Sequence, residues 1–207
     1  MTLSAQRDDL AHLAAIGRLR RLAPDHGIDF ASNDYLGLAA SGRLADAARA
    51  ALDRGVAVGS GGSRLLRGNR AEHEALEAEA AQFVGSEAAL FFPTGFTANS
   101  ALLATLPQRG DLILADELVH ASMHEGLRLT RAEARMVRHN DADAFEQALT
   151  EWRRAGGTGQ VWIAVESLYS MDGDFAPLAE LSQIALRHDA MLLVDEAHAT
   201  GICGPSG

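Results

Sequence analysis

The sequence predicts an α/β protein: a mostly parallel sheet flanked by helices, preceded by a helical N-terminal arm. The first observation is the stretch 161–204. An apolar run at 161–165 ends in Glu166, and a polar turn with Asp172, Gly173 and Asp174 follows. Pro177 then opens a helical pattern with Leu178, Leu181, Ile184, Ala185 and Leu186 on one side. A second apolar run at 191–194 delivers Asp195, with His198 three residues later. Two short uncharged runs joined by a helix describe a βαβ crossover with parallel, buried strands. The second observation is rhythm, since strand and helix patterns alternate from Ala88 onward. In such sheets ligands bind beyond the carboxyl ends of the strands. Glu166, Ser170, Asp195 and His198 therefore fall on one functional edge.

In chain order, residues 4–22 carry Leu10, Leu13, Ile16, Leu19 and Leu22 at intervals of three, one face of an amphipathic helix. Its basic end, with Arg18, Arg20 and Arg21, suits a helix C-terminus electrostatically, and carboxylate binding is the alternative. Residues 28–31 read as a short strand leading into a turn-rich stretch at 32–37. Residues 43–53 read as a helix with Leu44, Ala47, Ala48 and Leu52 inward. The loop 55–64 is so dense in glycine that a ligand or partner chain can approach its backbone, although a flexible connector explains it equally well. Residues 71–84 read as a helix with Leu76, Ala80, Phe83 and Val84 buried and Gly85 as its stop.

Residues 88–92 read as a strand, and 93–96 as the turn into a helix reaching Leu106. Residues 112–115 follow as a strand, then a helix containing His120. Residues 135–138 read as an edge strand, and Asn140 or Asp141 caps a helix to Arg154. A glycine-rich surface loop at 155–159 precedes the final unit. The expected division is an arm at 1–42 and a large domain at 43–207.

A chain of 207 residues suits one substantial domain, or one domain plus an incomplete second. Its 47% hydrophobic residues supply a large core, and 22% charged residues is ordinary for a soluble protein. A net charge of −10 argues against a nucleic-acid surface, which needs clustered positive charge. Arg128, Arg131, Arg135 and Arg138 do cluster, but Glu133 interrupts them, as on a solvated face. The single Cys203 forms no internal disulfide, which points to a reducing compartment and a packing role. The first ten residues lack an apolar signal core, and no run reaches membrane-spanning length, so the cytoplasm is expected.

An Asp at the end of a buried strand caps the next turn, holds Mg²⁺ in an NTPase, or faces the protonated ring nitrogen of a pyridine cofactor. Asp195-Glu196-Ala197-His198 does spell the box of one helicase class. That chemistry needs GxxxxGK[ST], and all 18 basic residues here are arginines, with no lysine anywhere. The junction at Thr94-Gly95-Phe96 is the best anion site, because free N–H groups at a helix N-terminus bind phosphate without a lysine. His120, after Asp116 and Glu117, is a capping group or a residue stacking on a flat ring at the same edge. His12, His26, His73, His124, His139 and His188 receive no role, and no ligand set with metal spacing emerges.

The stretches ASNDYLGLA (31–39), GSGGSRLLRGN (59–69), FFPTGFTANSALL (91–103), DELVHAS (116–122), HND (139–141), SLYSMDGDFAPL (167–178) and VDEAHATGICG (194–204) together resemble the pyridoxal-phosphate α-oxoamine synthases. That family condenses an amino acid with an acyl thioester and releases CO₂. The wording at 33–37 and 59–64 is most similar to its biotin-synthesis branch, which joins L-alanine to a pimeloyl thioester. The resemblance implies a fold type I transferase, pyridoxal 5'-phosphate as cofactor, a homodimer with the 59–64 loop near the interface, and small-molecule substrates. It implies that Asp195 pairs with the pyridinium nitrogen, that His198 and Ser170 bond the ring's hydroxyl side, and that Gly95 and Phe96 flank the cofactor's attachment turn. His120 would stack on the ring and meet substrate, Arg20 would meet the acyl substrate with Arg18 and Arg21 as neighbours in register, and Asn33 would contact the amino-acid carboxylate. Catalysis would then fall to His120, Asp195 and His198, with Glu166 nearby.

One departure stands out. The family carries its cofactor on a lysine some tens of residues beyond the Asp-x-x-His motif, and these 207 residues contain none. The family's C-terminal small domain is also missing from this chain. The expectation is that the sequence is the front part of a longer protein, inactive by itself, with apolar surface exposed where the remainder packs; the alternative is a genuine truncation, a lysine-free and non-catalytic module of the same fold.

Overall fold

The computed structural model describes residues 3–22, 24 and 27–204, so His26 lies outside the described residues. The chain forms two compact units, Met1–Ala40 and Ser41–Gly207. In the first, helix α1 spans Ser4–Ala15 and stops where Gly17 turns left-handed (φ 70°). The helix is thus shorter than its leucine spacing predicts, and Arg18, Arg20 and Arg21 lie beyond it rather than in its last turn. The strand expected at 28–31 does not form; these residues are exposed and pair with no strand. Asp34 instead organises a turn, its carboxylate accepting the N–H groups of Leu38 and Ala39 at 2.8 and 3.0 Å.

The second unit contains α2 (Gly42–Asp53), a π-helical turn (Arg64–Gly68), α3 (Ala71–Val84), α4 (Gly95–Thr105), α5 (Ala121–Leu129), α6 (Ala142–Arg154) and α7 (Leu178–His188). Its strands are β1 (Leu112–Asp116), β2 (Glu133–Val137), β3 (Val161–Glu166) and β4 (Met191–Asp195). They form one parallel sheet in the order β2-β1-β3-β4. Because strand side chains alternate, β1 and β3 feed two cores. Leu112, Leu114, Ile163 and Val165 pack with Phe145, Leu149 and Trp152 of α6 and with Leu181 and Ile184 of α7. Ile113, Ala115 and Ala164 face the other way, against Leu103 of α4 and Met123 of α5. Fully burying each large aliphatic side chain contributes roughly 1.5–3 kcal/mol, so this three-layer sandwich is the stable centre of the unit.

Caps match the sequence at several ends. Asp141 Oδ1 accepts the Ala144 N–H at the start of α6, and Gly85 ends α3 in the left-handed region (φ 68°). Four expectations are corrected. No strand forms at 88–92, because no neighbouring strand lies alongside among the described residues. Leu44, Ala47, Ala48 and Leu52 of α2, and Leu76, Phe83 and Val84 of α3, are exposed rather than buried, left largely uncovered by the described residues. Leu186 is 81% exposed, on the far side of α7 from Leu181 and Ile184. His120 stands before α5 as its cap, not inside it.

Candidate active site

Three strands deliver carboxylates at their C-terminal ends: Asp116 from β1, Glu166 from β3 and Asp195 from β4. Glu166 and Asp195 are register partners on neighbouring parallel strands, so they leave the sheet side by side. A cleft of about 90 Å³ lies there. Gly95, Phe96 and Asn99 line it from α4, His120 and Ser122 from the start of α5, and Ala197 and His198 from the turn after β4.

Asp195 is held on both oxygens. Oδ2 accepts the Asn99 amide at 2.6 Å and Oδ1 accepts the Ala197 N–H at 2.9 Å. Turn capping and a place in the cleft therefore coexist, because each carboxylate oxygen keeps a further lone pair. The same Asn99 amide nitrogen donates to Ser122 Oγ at 3.0 Å. Ser122 Oγ lies 2.8 Å from His120 Nδ1, and the Ser122 N–H donates to that nitrogen at 3.2 Å. Nδ1 is thus the acceptor, which places the proton of the neutral ring on Nε2. One hydrogen-bond chain runs from Asp195 through Asn99 and Ser122 to His120. The Phe96 ring stands edge-on to His120, with centroids 6.3 Å apart.

Glu166 is buried. Burial and the adjacent Asp195 charge push its carboxyl above the usual range, against the Ser170 and His120 backbone N–H groups, which hold it down. At the start of α4, Thr94 Oγ1 accepts the Thr97 N–H at 3.1 Å. The first-turn N–H groups of Gly95 and Phe96 have no intrahelical acceptor and sit at the positive end of the helix. Nothing in the fold demands glycine at 95: its backbone is not left-handed, and an added Cβ would meet no atom within 4 Å. The missing side chain leaves open space at the helix N-terminus.

Of the residues expected from the sequence, Gly95, Phe96, His120, Asp195 and His198 line this cleft. Ser170 does not; it is exposed on the loop after β3, with its N–H toward Glu166. Arg20 and Asn33 lie in the Met1–Ala40 unit, both exposed. Asn99 and Ser122 are additions. Asn99 follows Gly95 by four residues and Phe96 by three, which puts it on their helical face, and that spacing was its only sequence signal. Among the described residues no group of three His, Cys, Asp or Glu side chains is placed to hold a metal. No helix among them is long and apolar enough to cross a membrane.

Residues 25–207 match the family model described as aminotransferase class I and II. The chain belongs to this family. Within it, the chain is 44% identical to the putative 8-amino-7-oxononanoate synthase of Bacillus licheniformis, over 94% of this chain and 50% of that protein. It is 47% identical to the 8-amino-7-oxononanoate synthase of Herminiimonas arsenicoxydans, over 87% of this chain and 45% of the relative. Among solved structures, a serine palmitoyltransferase from S. paucimobilis with a bound PLP–myriocin aldimine superposes with a TM-score of 0.85 at 28% identity, covering 99% of this chain and 55% of that one. The 8-amino-7-oxononanoate synthase of Francisella tularensis gives 0.66 at 31% identity, covering 87% and 48%. The chain thus spans about half the length of the relatives it matches. Its architecture is that of a fold type I transferase of this family, and its site residues fit pyridoxal phosphate: an open helix N-terminus for the phosphate and a fixed carboxylate for the ring nitrogen.

Proposed function

We propose that the protein to which this chain belongs condenses L-alanine with a pimeloyl thioester, carried by CoA or acyl carrier protein, to give 8-amino-7-oxononanoate for biotin synthesis. The new bond joins the alanine Cα to the acyl carbonyl carbon; the C–S bond breaks, the thiol departs, and the alanine carboxylate leaves as CO₂. The observation that carries this reading is Asp195, anchored by Asn99 at a strand end beside the α4 N-terminus. Pyridoxal phosphate, when bound, supplies an electron sink for the charge that develops at Cα.

The chain's own residues supply binding and orientation. The N–H groups of Gly95 and Phe96 receive the phosphate. Asp195 accepts the ring nitrogen's N–H and keeps that proton in place. Each pKa unit by which it does so corresponds to about 1.4 kcal/mol. His120 covers the ring and meets substrate, His198 and Ser170 bond the hydroxyl side, and Arg20 and Asn33 take carboxylates. No lysine occurs in the 207 residues, so the covalent anchor of the family has no counterpart in this chain. A homodimer in the cytoplasm completes the proposal.

The serine palmitoyltransferase structures that superpose on the chain favour one second reading, a related synthase that takes serine or glycine. CO₂ and thiol release by the full-length protein, measured with alanine, serine and glycine against pimeloyl and longer acyl thioesters, separates the two. Release with alanine and pimeloyl thioester alone supports the first reading; serine with a long acyl chain supports the second. Release with none of them rejects both.

A further inference from the structure

His139, given no role from the sequence, is the hub of a second polar cluster. Its Nδ1 lies 2.9 Å from Asp116 Oδ1 and its Nε2 2.9 Å from Asp174 Oδ2. A neutral imidazole carries one N–H, so carboxylates at both nitrogens select the doubly protonated ring. Asn140 fastens the same two acids: its N–H donates to Asp116 Oδ2 and its side-chain amide to Asp174 Oδ2, each at 2.8 Å. Asn140 does this from a left-handed backbone (φ 53°), which asparagine tolerates better than most residues. The Tyr169 ring stands edge-on to the imidazole, with centroids 4.5 Å apart.

Asp174 and Tyr169 belong to the loop 167–176, which folds back on itself. Leu168 bridges Phe175, the Tyr169 N–H donates to Asp174 O at 3.0 Å, and the Gly173 N–H donates to Tyr169 O at 2.8 Å. The root of the loop is tied to β4 by the Ser167 N–H, 2.9 Å from Asp195 O. Its Ser170 N–H supports the Glu166 carboxylate. The Asp116–His139–Asp174 bridge therefore joins the end of β1, the turn after β2 and the loop after β3, next to the cleft. We propose that His139 is a positioning residue: clamped between Asp116 and Asp174, it fixes the 167–176 loop on the sheet edge and so supports Glu166, which lines the cofactor cleft at the root of that loop. That the cleft receives pyridoxal phosphate rests on the function proposed above; the clamp rests on geometry.

The groups facing His139 are Asp116 and Glu117 from the end of β1, Asp174 and Tyr169 from the loop, and Arg138 and Asp141, paired with each other, on its own segment. Asp143 and Glu180 line the same open hollow. Burial pulls the His139 pKa down, but the hydrogen bonds and charges of Asp116 and Asp174 outweigh it, and the net shift is upward. A raised imidazolium pKa means that the clamp is fully made below the ordinary histidine range. It is released as pH rises through the raised value.

The test uses the full-length apoprotein. Amide exchange of residues 168–176, corrected for intrinsic rates, is followed from about pH 5.5 to about pH 9 alongside the ring ¹⁵N titration of His139. Wild type is compared with Asp174→Asn and His139→Gln, and pyridoxal phosphate affinity is measured for each. In wild type, loop protection should fall about ten- to a hundredfold as His139 deprotonates, while β1 and β3 stay protected. Asp174→Asn should lower the His139 midpoint, leave the loop fast-exchanging even at acid pH, and weaken pyridoxal phosphate binding about three- to tenfold. Should His139→Gln also open β1 and β3, Asp174→Asn alone decides. Loop protection that is flat with pH and unchanged in Asp174→Asn overturns the clamp. So does a change confined to residues 138–142, the signature of a group that only braces its own turn. A wild type that shows the pH-dependent loop yet takes up no pyridoxal phosphate upholds the clamp and rejects the cofactor assignment.

Discussion

Asp195 ends a mostly apolar strand, and Asn99 turns that position into a defined one: a 2.6 Å bond from an amide 96 residues earlier fixes which carboxylate oxygen is tied and which direction remains. Asp195→Asn should lower turnover of the full-length enzyme about 100-fold or more while weakening cofactor binding far less, because the change removes charge but keeps shape. Steady-state kinetics beside cofactor titration checks this, and normal turnover would exclude Asp195 from the chemistry. Asn99→Ala leaves the Asp195 carboxylate and Ser122 without their shared donor, a loss of about 1–3 kcal/mol. The expected result is a fall in kcat of about ten- to a hundredfold with an unchanged near-UV CD spectrum. Asp195 and His120 were legible in the sequence because strand exits in a parallel sheet point to one edge. Asn99 and Ser122 were not, because their roles arise only where α4 and α5 pack together.

At the scale of elements, that packing depends on Gly126. A Cβ there would sit 2.7 Å from Leu103 Cβ and 3.2 Å from the Asn99 carbonyl oxygen. Gly126→Ala should wedge α4 from α5, costing roughly 1–3 kcal/mol, and tilt Asn99 away from Asp195. A lowered denaturant midpoint together with reduced turnover is the expected pair of results; a midpoint equal to wild type would show that the helices yield freely. The glycine-dense loop ends at Arg64, which pairs with Glu77 of α3 through both terminal guanidinium nitrogens and also donates twice to Asn69 Oδ1. The hydrogen bonds from Arg64 and from the Phe91 N–H hold the Glu77 carboxyl down to about 2. A depressed carboxylate supports the fold above its unfolded value and loses that support as pH falls through the folded value. Amide protection at 64–68 and at Phe91 should therefore hold at neutral pH and decline between 4.5 and about 2. Protection that is constant across this window would remove the ion pair from the account.

Among the described residues, the central strands β1 and β3 are covered on both faces, whereas α2, α3 and the 88–92 segment leave Leu52, Phe83 and Leu90 more than half exposed. The 207-residue polypeptide by itself should therefore bind a hydrophobic dye and self-associate in size-exclusion chromatography. A monomer that binds no dye would show these surfaces to be covered. Local chemistry determined the helix and strand identities from Gly95 to Asp195, the cap at Asp141, the stop at Gly85 and the carboxylates at strand ends. Periodicity and turn residues act within a few positions, so one sequence suffices to read them. Tertiary structure alone decided whether an apolar stripe is covered, whether 88–92 finds a strand to pair with, and whether Asn99 meets Asp195 or His139 meets two acids. These depend on a second surface arriving from a distant part of the chain, and nothing in a local pattern records that arrival.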